Sequence, residues 1–369
     1  MKIIFVLGTR PEAIKLVPVI KEFAKHKKYK LKVCFTGQHQ EMVLPIFEFF
    51  NIKIDKNLKL MRNDQTLSAI TGRLFTNLGV YLAAQKPDLV FVQGDTNTAR
   101  VAATVAFYLK IKIAHIEAGL RTFDIMSPFP EEYNRVVISK IASYHFAPTK
   151  MAEKNLLTEG IKKDSILVTG NTGIDTLLLT LKKYKTIVDH SKNNWGKNGR
   201  NIILITCHRR ENFGKGLINI CKAIKELSFT YKNIDFVFPV HLNPNVQKTV
   251  HQELQNLSNV FLINPLNYLE FVSLMAKSYI ILTDSGGIQE EAPSLKKPIL
   301  ILRETTERQE AVENELAILI GNSTENIITN TKKLIEDKTF YSKMIQNKNP
   351  FGEGNASIMI FNKIENTLS

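Results

Sequence analysis

The sequence predicts an α/β protein of two Rossmann-like domains, because short unbroken apolar runs alternate with longer amphipathic segments and the alternation occurs twice. Runs that are apolar on both faces suit parallel strands covered by helices. Length agrees, since 369 residues can build two domains that each bury a core. In the first half the expected strands are residues 2–7, 32–36, 89–93, 112–116 and 145–147; in the second they are 202–206, 236–239, 260–263, 280–283 and 298–302. A lysine- and asparagine-rich stretch at 185–200, with the only tryptophan, Trp195, separates the halves. A linker near residues 169–173 sets an N-terminal domain at 1–170, a C-terminal domain at 171–355 and a closing helix at 356–369.

Net charge is +14, yet the lysines gather in segments such as Lys25-His26-Lys27-Lys28 without interleaved aromatics, so they read as solvated faces and not as a nucleic-acid platform. A positive field does suit an anionic small substrate. No apolar run approaches the roughly 20 residues of a membrane span, and the first run is cut short by Arg10 before it can serve as a signal-peptide core. A cytoplasmic protein is expected. Cys34, Cys207 and Cys221 are odd in number and have no metal-ligand spacing, which argues against a disulfide framework or a structural zinc site.

In open parallel sheets, ligands collect where strands end. Residues 280–283 run into Asp284-Ser285-Gly286-Gly287-Ile288-Gln289-Glu290-Glu291, a glycine turn opening a helix whose first amides lack acceptors, a seat for a diphosphate. Glu291 is placed to accept hydrogen bonds from ribose hydroxyls. The other strand ends are Gly8-Thr9-Arg10-Pro11-Glu12-Ala13-Ile14-Lys15, Gly94-Asp95-Thr96-Asn97-Thr98, His115-Ile116-Glu117-Ala118-Gly119, Cys207-His208-Arg209-Arg210-Glu211-Asn212 and Val240-His241-Leu242-Asn243-Pro244. Together they point to a ligand cleft between the domains. Taken singly, Asp95 and Asp284 read as helix caps, and Glu131 and Glu132 as acids complementing a helix dipole. His115 and Glu117 share the His-x-Glu spacing of zinc deaminases, but the Pro-Cys-x-x-Cys partner is missing. His26, His190 and His251 read as surface residues.

This series, with Pro128-Phe129-Pro130-Glu131-Glu132 between, resembles the non-hydrolysing UDP-N-acetylglucosamine 2-epimerases in order over nearly the whole chain. The resemblance implies a GT-B architecture, a homodimer, no cofactor, and interconversion of UDP-N-acetylglucosamine with UDP-N-acetylmannosamine for surface polysaccharide synthesis. It places UDP binding on the C-terminal domain together with Arg10 and Lys15. Nucleotide contacts are implied for Arg10, Lys15, Phe271, Ser285, Gly286, Gly287, Glu291 and Arg308, and acid/base roles for Asp95, Glu117, Glu131 and His208. Gln38, Arg209, Glu211 and His241 match positions where the family binds a second, regulatory substrate molecule. Gln309 stands where a proline is expected, Glu315-Leu316 replaces a usual Gly-Thr, and Leu266 replaces a glutamine facing the uracil.

The chemistry leads the same way. A sugar's C2 proton is not next to a carbonyl, and the chain lacks the GxGxxG fingerprint of an NAD enzyme that would oxidise a neighbouring carbon. Departure of UDP from C1 instead acidifies the C2 proton, and a carboxylate removes it to leave a glycal. Cations and amides must hold the departing UDP, with acid/base groups on both ring faces. Asp95, Glu117 and Glu131, if crowded, would separate one another's pKa values and divide the acid and base roles. The rival readings are a glycosyltransferase, which needs an acceptor site in place of the carboxylates, and a nucleotide-sugar sensor that turns over nothing.

Overall fold

The computed structural model describes residues 1–62, 64–184 and 194–368. The chain divides into two compact units, Met1–Thr176 with Phe351–Ser369, and Leu177–Pro350. The first boundary falls inside the helix Thr172–Tyr184, whose amphipathic pattern runs on without a break, and the closing helix Ala356–Leu368 belongs to the first unit. In that unit it packs on the helix Arg10–Ala24 through Phe361 against Phe23, and its start is held by Asp175, which accepts from the Ser357 amide at 2.8 Å. His26 stacks on Phe361 at 4.0 Å. Of the polar stretch at 185–200, residues 185–193, with His190, lie outside the described residues.

Each unit holds one all-parallel sheet. The first contains β1 (Lys2–Leu7), β2 (Lys30–Phe35), β3 (Lys56–Asn57), β4 (Leu89–Gln93), β5 (Lys112–Ile116), β6 (Tyr144–Ala147) and β7 (Ile166–Val168), in the order β3-β2-β1-β4-β5-β6-β7. The second contains β8 (Asn201–Thr206), β9 (Ile234–Pro239), β10 (Val260–Ile263), β11 (Ile280–Thr283), β12 (Ile299–Ile301) and β13 (Ala317–Leu319), in the order β10-β9-β8-β11-β12-β13. Central strands such as β4 are buried at every residue, as coverage on both faces requires. In the first unit the helices Leu67–Gln85 and Asn97–Tyr108 press Leu74, Leu78, Val101 and Val105 onto Ile4, Val90 and Val92. In the second, the helix Lys215–Thr230 contributes Leu217, Ile220, Ile224 and Leu227 to a core with Ile203, Phe236 and Leu282. Strand order reverses between β1 and β4 and between β8 and β11, the switch points where open sheets gather ligands. No helix among the described residues is long and apolar enough to cross a membrane.

Candidate functional site

The turns singled out in the sequence lie at and beside these switch points. After β1, Thr9 caps the helix Arg10–Ala24 in a reciprocal box with Glu12, which is wholly buried. Glu12 accepts from the Gly8 amide at 2.9 Å, the Thr9 amide at 2.7 Å and the Thr96 hydroxyl at 2.7 Å, so one carboxylate ties the turn after β1 to the turn after β4. Burial raises its pKa, against these hydrogen bonds that lower it. Arg10 stands exposed on the first helical turn. Gln38 accepts weakly from Thr98 at 3.4 Å, beside Gly8.

Register brings the first pair of acid/base candidates together. Gln93 on β4 pairs with Ile116 on β5, so Gly94 and Glu117 leave the sheet side by side. Glu117 takes a left-handed backbone, φ 65°, and its carboxylate is held by the Lys15 ammonium and the Gln93 amide. Lys15, an expected nucleotide contact, pairs here with this carboxylate. Asp95 is not a helix cap, because Thr96 caps Asn97–Tyr108. Its side chain instead pairs with Arg135, which also reaches the buried Glu132 at 3.2 Å. Glu131 and Glu132 do open a helix, but only Glu131 stays half-exposed; Glu132 turns in to accept from the Thr122 and Phe123 amides at 3.1 and 3.2 Å. Asp95 and Glu117 each have a cation beside the carboxylate, Arg135 and Lys15.

In the second unit Thr206 pairs in register with Thr283, their hydroxyls 2.6 Å apart, and His208 and Asp284 follow from adjacent strands. Asp284 is fully buried and is not a cap either; Ser285 holds the N-cap position. It accepts from the His208 amide at 3.0 Å, the Arg209 amide at 2.9 Å and the Asn212 side chain at 3.0 Å. Burial alone would raise its pKa; these donors and His208 overcome that and hold it at about 2. His208 Nδ1 lies 3.2 Å from Asp284, which directs the exposed ring's Nε2 outward. The ring of His241 stacks on it with centroids 6.3 Å apart.

Around the glycine turn after β11, Arg308 packs so closely that a Cβ on Gly286 would lie 3.2 Å from its guanidinium carbon. Glu290 accepts from Arg308 Nε at 2.8 Å and fixes that approach. Ser285 makes no side-chain capping bond, and Gly287 faces open space. Glu291 closes this short helix, half-buried. Phe271 and Leu266 are both half-buried at the start of the helix Tyr268–Lys277, which follows the edge strand β10. Glu211 pairs with Arg303, which bonds Glu307 at 2.9 Å, while Arg209 Nε is buried without a hydrogen-bond partner. Gln309 opens a helix and donates to the Thr306 carbonyl at 2.8 Å. Glu315 occupies a left-handed backbone, φ 54°, a conformation that glycine adopts without strain.

Gln93, Asn134, Arg135, Glu290 and Arg303 were not singled out in the sequence. A signal existed for three: Gln93 is polar at the end of an apolar strand, Arg135 follows Glu131 by one helical turn, and Arg303 follows a strand end.

A family model described as UDP-N-acetylglucosamine 2-epimerase matches residues 21–365. The UDP-N-acetylglucosamine 2-epimerase of Campylobacter jejuni is 49% identical, over 98% of this chain and 96% of that protein. Its counterpart from Neisseria meningitidis serogroup A is 50% identical over 98% of each. A crystal structure of UDP-GlcNAc 2-epimerase from Neisseria meningitidis bound to UDP-GlcNAc superposes with a TM-score of 0.90 at 49% identity, covering 99% of this chain and all of that one.

Proposed function

The chain belongs to the UDP-N-acetylglucosamine 2-epimerase family, and we propose that it interconverts UDP-N-acetylglucosamine and UDP-N-acetylmannosamine by eliminating UDP and adding it back. The C1–O bond breaks with its electron pair leaving on the β-phosphate, a carboxylate takes the C2 proton, and 2-acetamidoglucal forms. Protonation of C2 from the opposite face and return of the phosphate oxygen to C1 give the epimer. Atoms and electrons balance without an oxidant. The observation that carries this reading is that each of three acid/base candidates has its own fixing partner: Glu117 has Lys15 and Gln93, Asp95 has Arg135, and His208 has Asp284. Such preorganisation suits proton transfer at a defined point.

In this reading Asp95, Glu117 and Glu131 serve the C2 proton, and Lys15 pairs with Glu117. His208 hands a proton to or from the phosphate oxygen. Arg308, Ser285, Gly286 and Gly287 receive the diphosphate, with Arg10 as a further cation. Glu291 takes the ribose and Phe271 borders the base, where Leu266 supplies apolar contact in place of an amide. Incubating purified protein with UDP-N-acetylglucosamine and no added nucleotide cofactor should produce new anomeric NMR signals that settle at a constant ratio. Persistent starting signals would refute the activity, and transfer of the sugar to an acceptor would favour a transferase.

Substrate regulation belongs to the same proposal, because Arg209 and Glu211 flank the turn that carries His208, and His241 stacks on its ring. With Gln38 they are assigned to a second UDP-N-acetylglucosamine. A reaction started from pure UDP-N-acetylmannosamine should then lag until traces of UDP-N-acetylglucosamine are added; a linear start refutes this. We place the protein in the cytoplasm, serving surface polysaccharide synthesis, in keeping with three unpaired, buried cysteines. We also propose a homodimer, supported by Val80, Phe107 and Tyr108, which are 70%, 53% and 70% exposed on two packed helices.

A further inference from the structure

One buried histidine has no part in the reaction as drawn. His115 is wholly enclosed on β5, two residues before Glu117, and burial lowers its pKa to about 3, so the ring is neutral. Its Nε2 donates to the Gly94 carbonyl at 2.8 Å, while Nδ1 is buried and without a hydrogen-bond partner. That single bond sets the tautomer. The next carbonyl along the chain, that of Asp95, accepts from the Asn134 side chain at 2.8 Å, and Asn134 is 1% exposed. The Gly94 amide is tied in turn to the Ile116 carbonyl at 2.9 Å.

The clamped turn bears on both carboxylates. Asp95 belongs to it, so rotation of the Asp95 peptide would swing the side chain away from Arg135. Glu117 rests on it, since a Cβ added to Gly94, whose φ is 68°, would lie 3.3 Å from Glu117 Oε2. Glu117 has a left-handed backbone that a free chain would leave, and the Gly94 turn is one of the surfaces confining it.

We propose that His115 and Asn134 are positioning residues which, by holding two successive carbonyls of one turn, set the Asp95 and Glu117 carboxylates in mutual register for the C2 proton transfers. The inference rests on the acid/base assignment made above. Neither residue gains or loses a proton in the cycle, so their effect is geometric; a misplacement of about 1 Å at a reacting group costs on the order of 100-fold in rate.

The test compares His115→Leu, which removes the donor, with His115→Gln, whose amide can reach the same carbonyl, and adds Asp95→Asn and Glu117→Gln as controls. His115→Leu should lower kcat about 100-fold with UDP affinity, read by calorimetry, within about twofold of the parent. It should also release more free UDP and glycal per turnover. His115→Gln should recover at least tenfold of the lost kcat and keep the parent pH profile. A folded His115→Leu with kcat within twofold of the parent, a parallel fall in kcat and UDP affinity, or no recovery in His115→Gln would overturn the clamp. Should His115→Leu fail to fold, Asn134→Ser decides: a tenfold or greater fall in kcat with UDP affinity kept supports the clamp, and an unchanged kcat refutes it. Active Asp95→Asn and Glu117→Gln would instead refute the acid/base assignment itself.

Discussion

Asp284→Asn removes one negative charge from a site where amides and side-chain donors converge, and its effect can be worked from the structure. The carboxylate is fully buried, yet its pKa falls from 3.8 to about 2. At about 1.4 kcal/mol for each tenfold change in proton affinity, that fall is about 2 kcal/mol of stability at neutral pH. Asparagine also turns an NH2 group toward donors, which adds to the loss. Urea unfolding at pH 7 should therefore show a loss of about 2–3 kcal/mol, or roughly 5–10 °C in Tm for a unit of this size. The sign with pH follows from the depressed pKa: the stabilisation is present above the unfolded value and is lost as pH falls through the folded one. The gap between parent and Asp284→Asn should begin to narrow near pH 4 and be about half gone by pH 3. Since the carboxylate also orients His208, kcat should fall in the same variant. Unfolding within 0.5 kcal/mol of the parent at pH 7, or a gap independent of pH, would refute the role of Asp284 as the hub of this turn.

Replacing Asp95, Glu117 or Glu131 by its amide should cut turnover about 10²–10⁴-fold, with UDP affinity much less affected and free 2-acetamidoglucal detectable by mass spectrometry. Arg308→Ala should weaken UDP binding about 10–100-fold by calorimetry, through loss of a charge-assisted contact. Glu315→Gly should stabilise the protein by about 0.5–1 kcal/mol in urea, because glycine adopts φ 54° without strain while the exposed Lys343 pair it gives up contributes little.

How much the sequence disclosed depended on position in the sheet. Each of the ten expected strands overlaps an observed one, because central strands must be apolar on both faces and so stand out. The three that escaped notice, β3, β7 and β13, are sheet edges of two or three residues, too short to show a pattern. Most candidate residues were picked out because they follow strand ends, while Phe271, Arg308 and the role of Glu131 came from the resemblance alone. Their pairings were not legible: Lys15 and Glu117 are 102 residues apart, and Arg135 and Asp95 are 40 apart, and each pair joins a helix residue to a residue in the turn after a strand. Asp95 and Asp284 show the limit of local rules, since aspartate before a helix suggests a cap, yet the caps are Thr96 and Ser285. The helix Thr172–Tyr184 likewise hid the boundary between units, as its periodicity does not change where Thr176 gives way to Leu177.

The elimination mechanism is tested most directly by running the reaction in deuterated water and reading C2 by NMR. Starting from protiated UDP-N-acetylglucosamine, the UDP-N-acetylmannosamine formed should carry deuterium at C2 in every molecule, because the proton is surrendered to a carboxylate and replaced from the other face. Epimerised product that keeps its original C2 hydrogen would contradict the account and exclude a glycal reached by solvent-exchanging proton transfer.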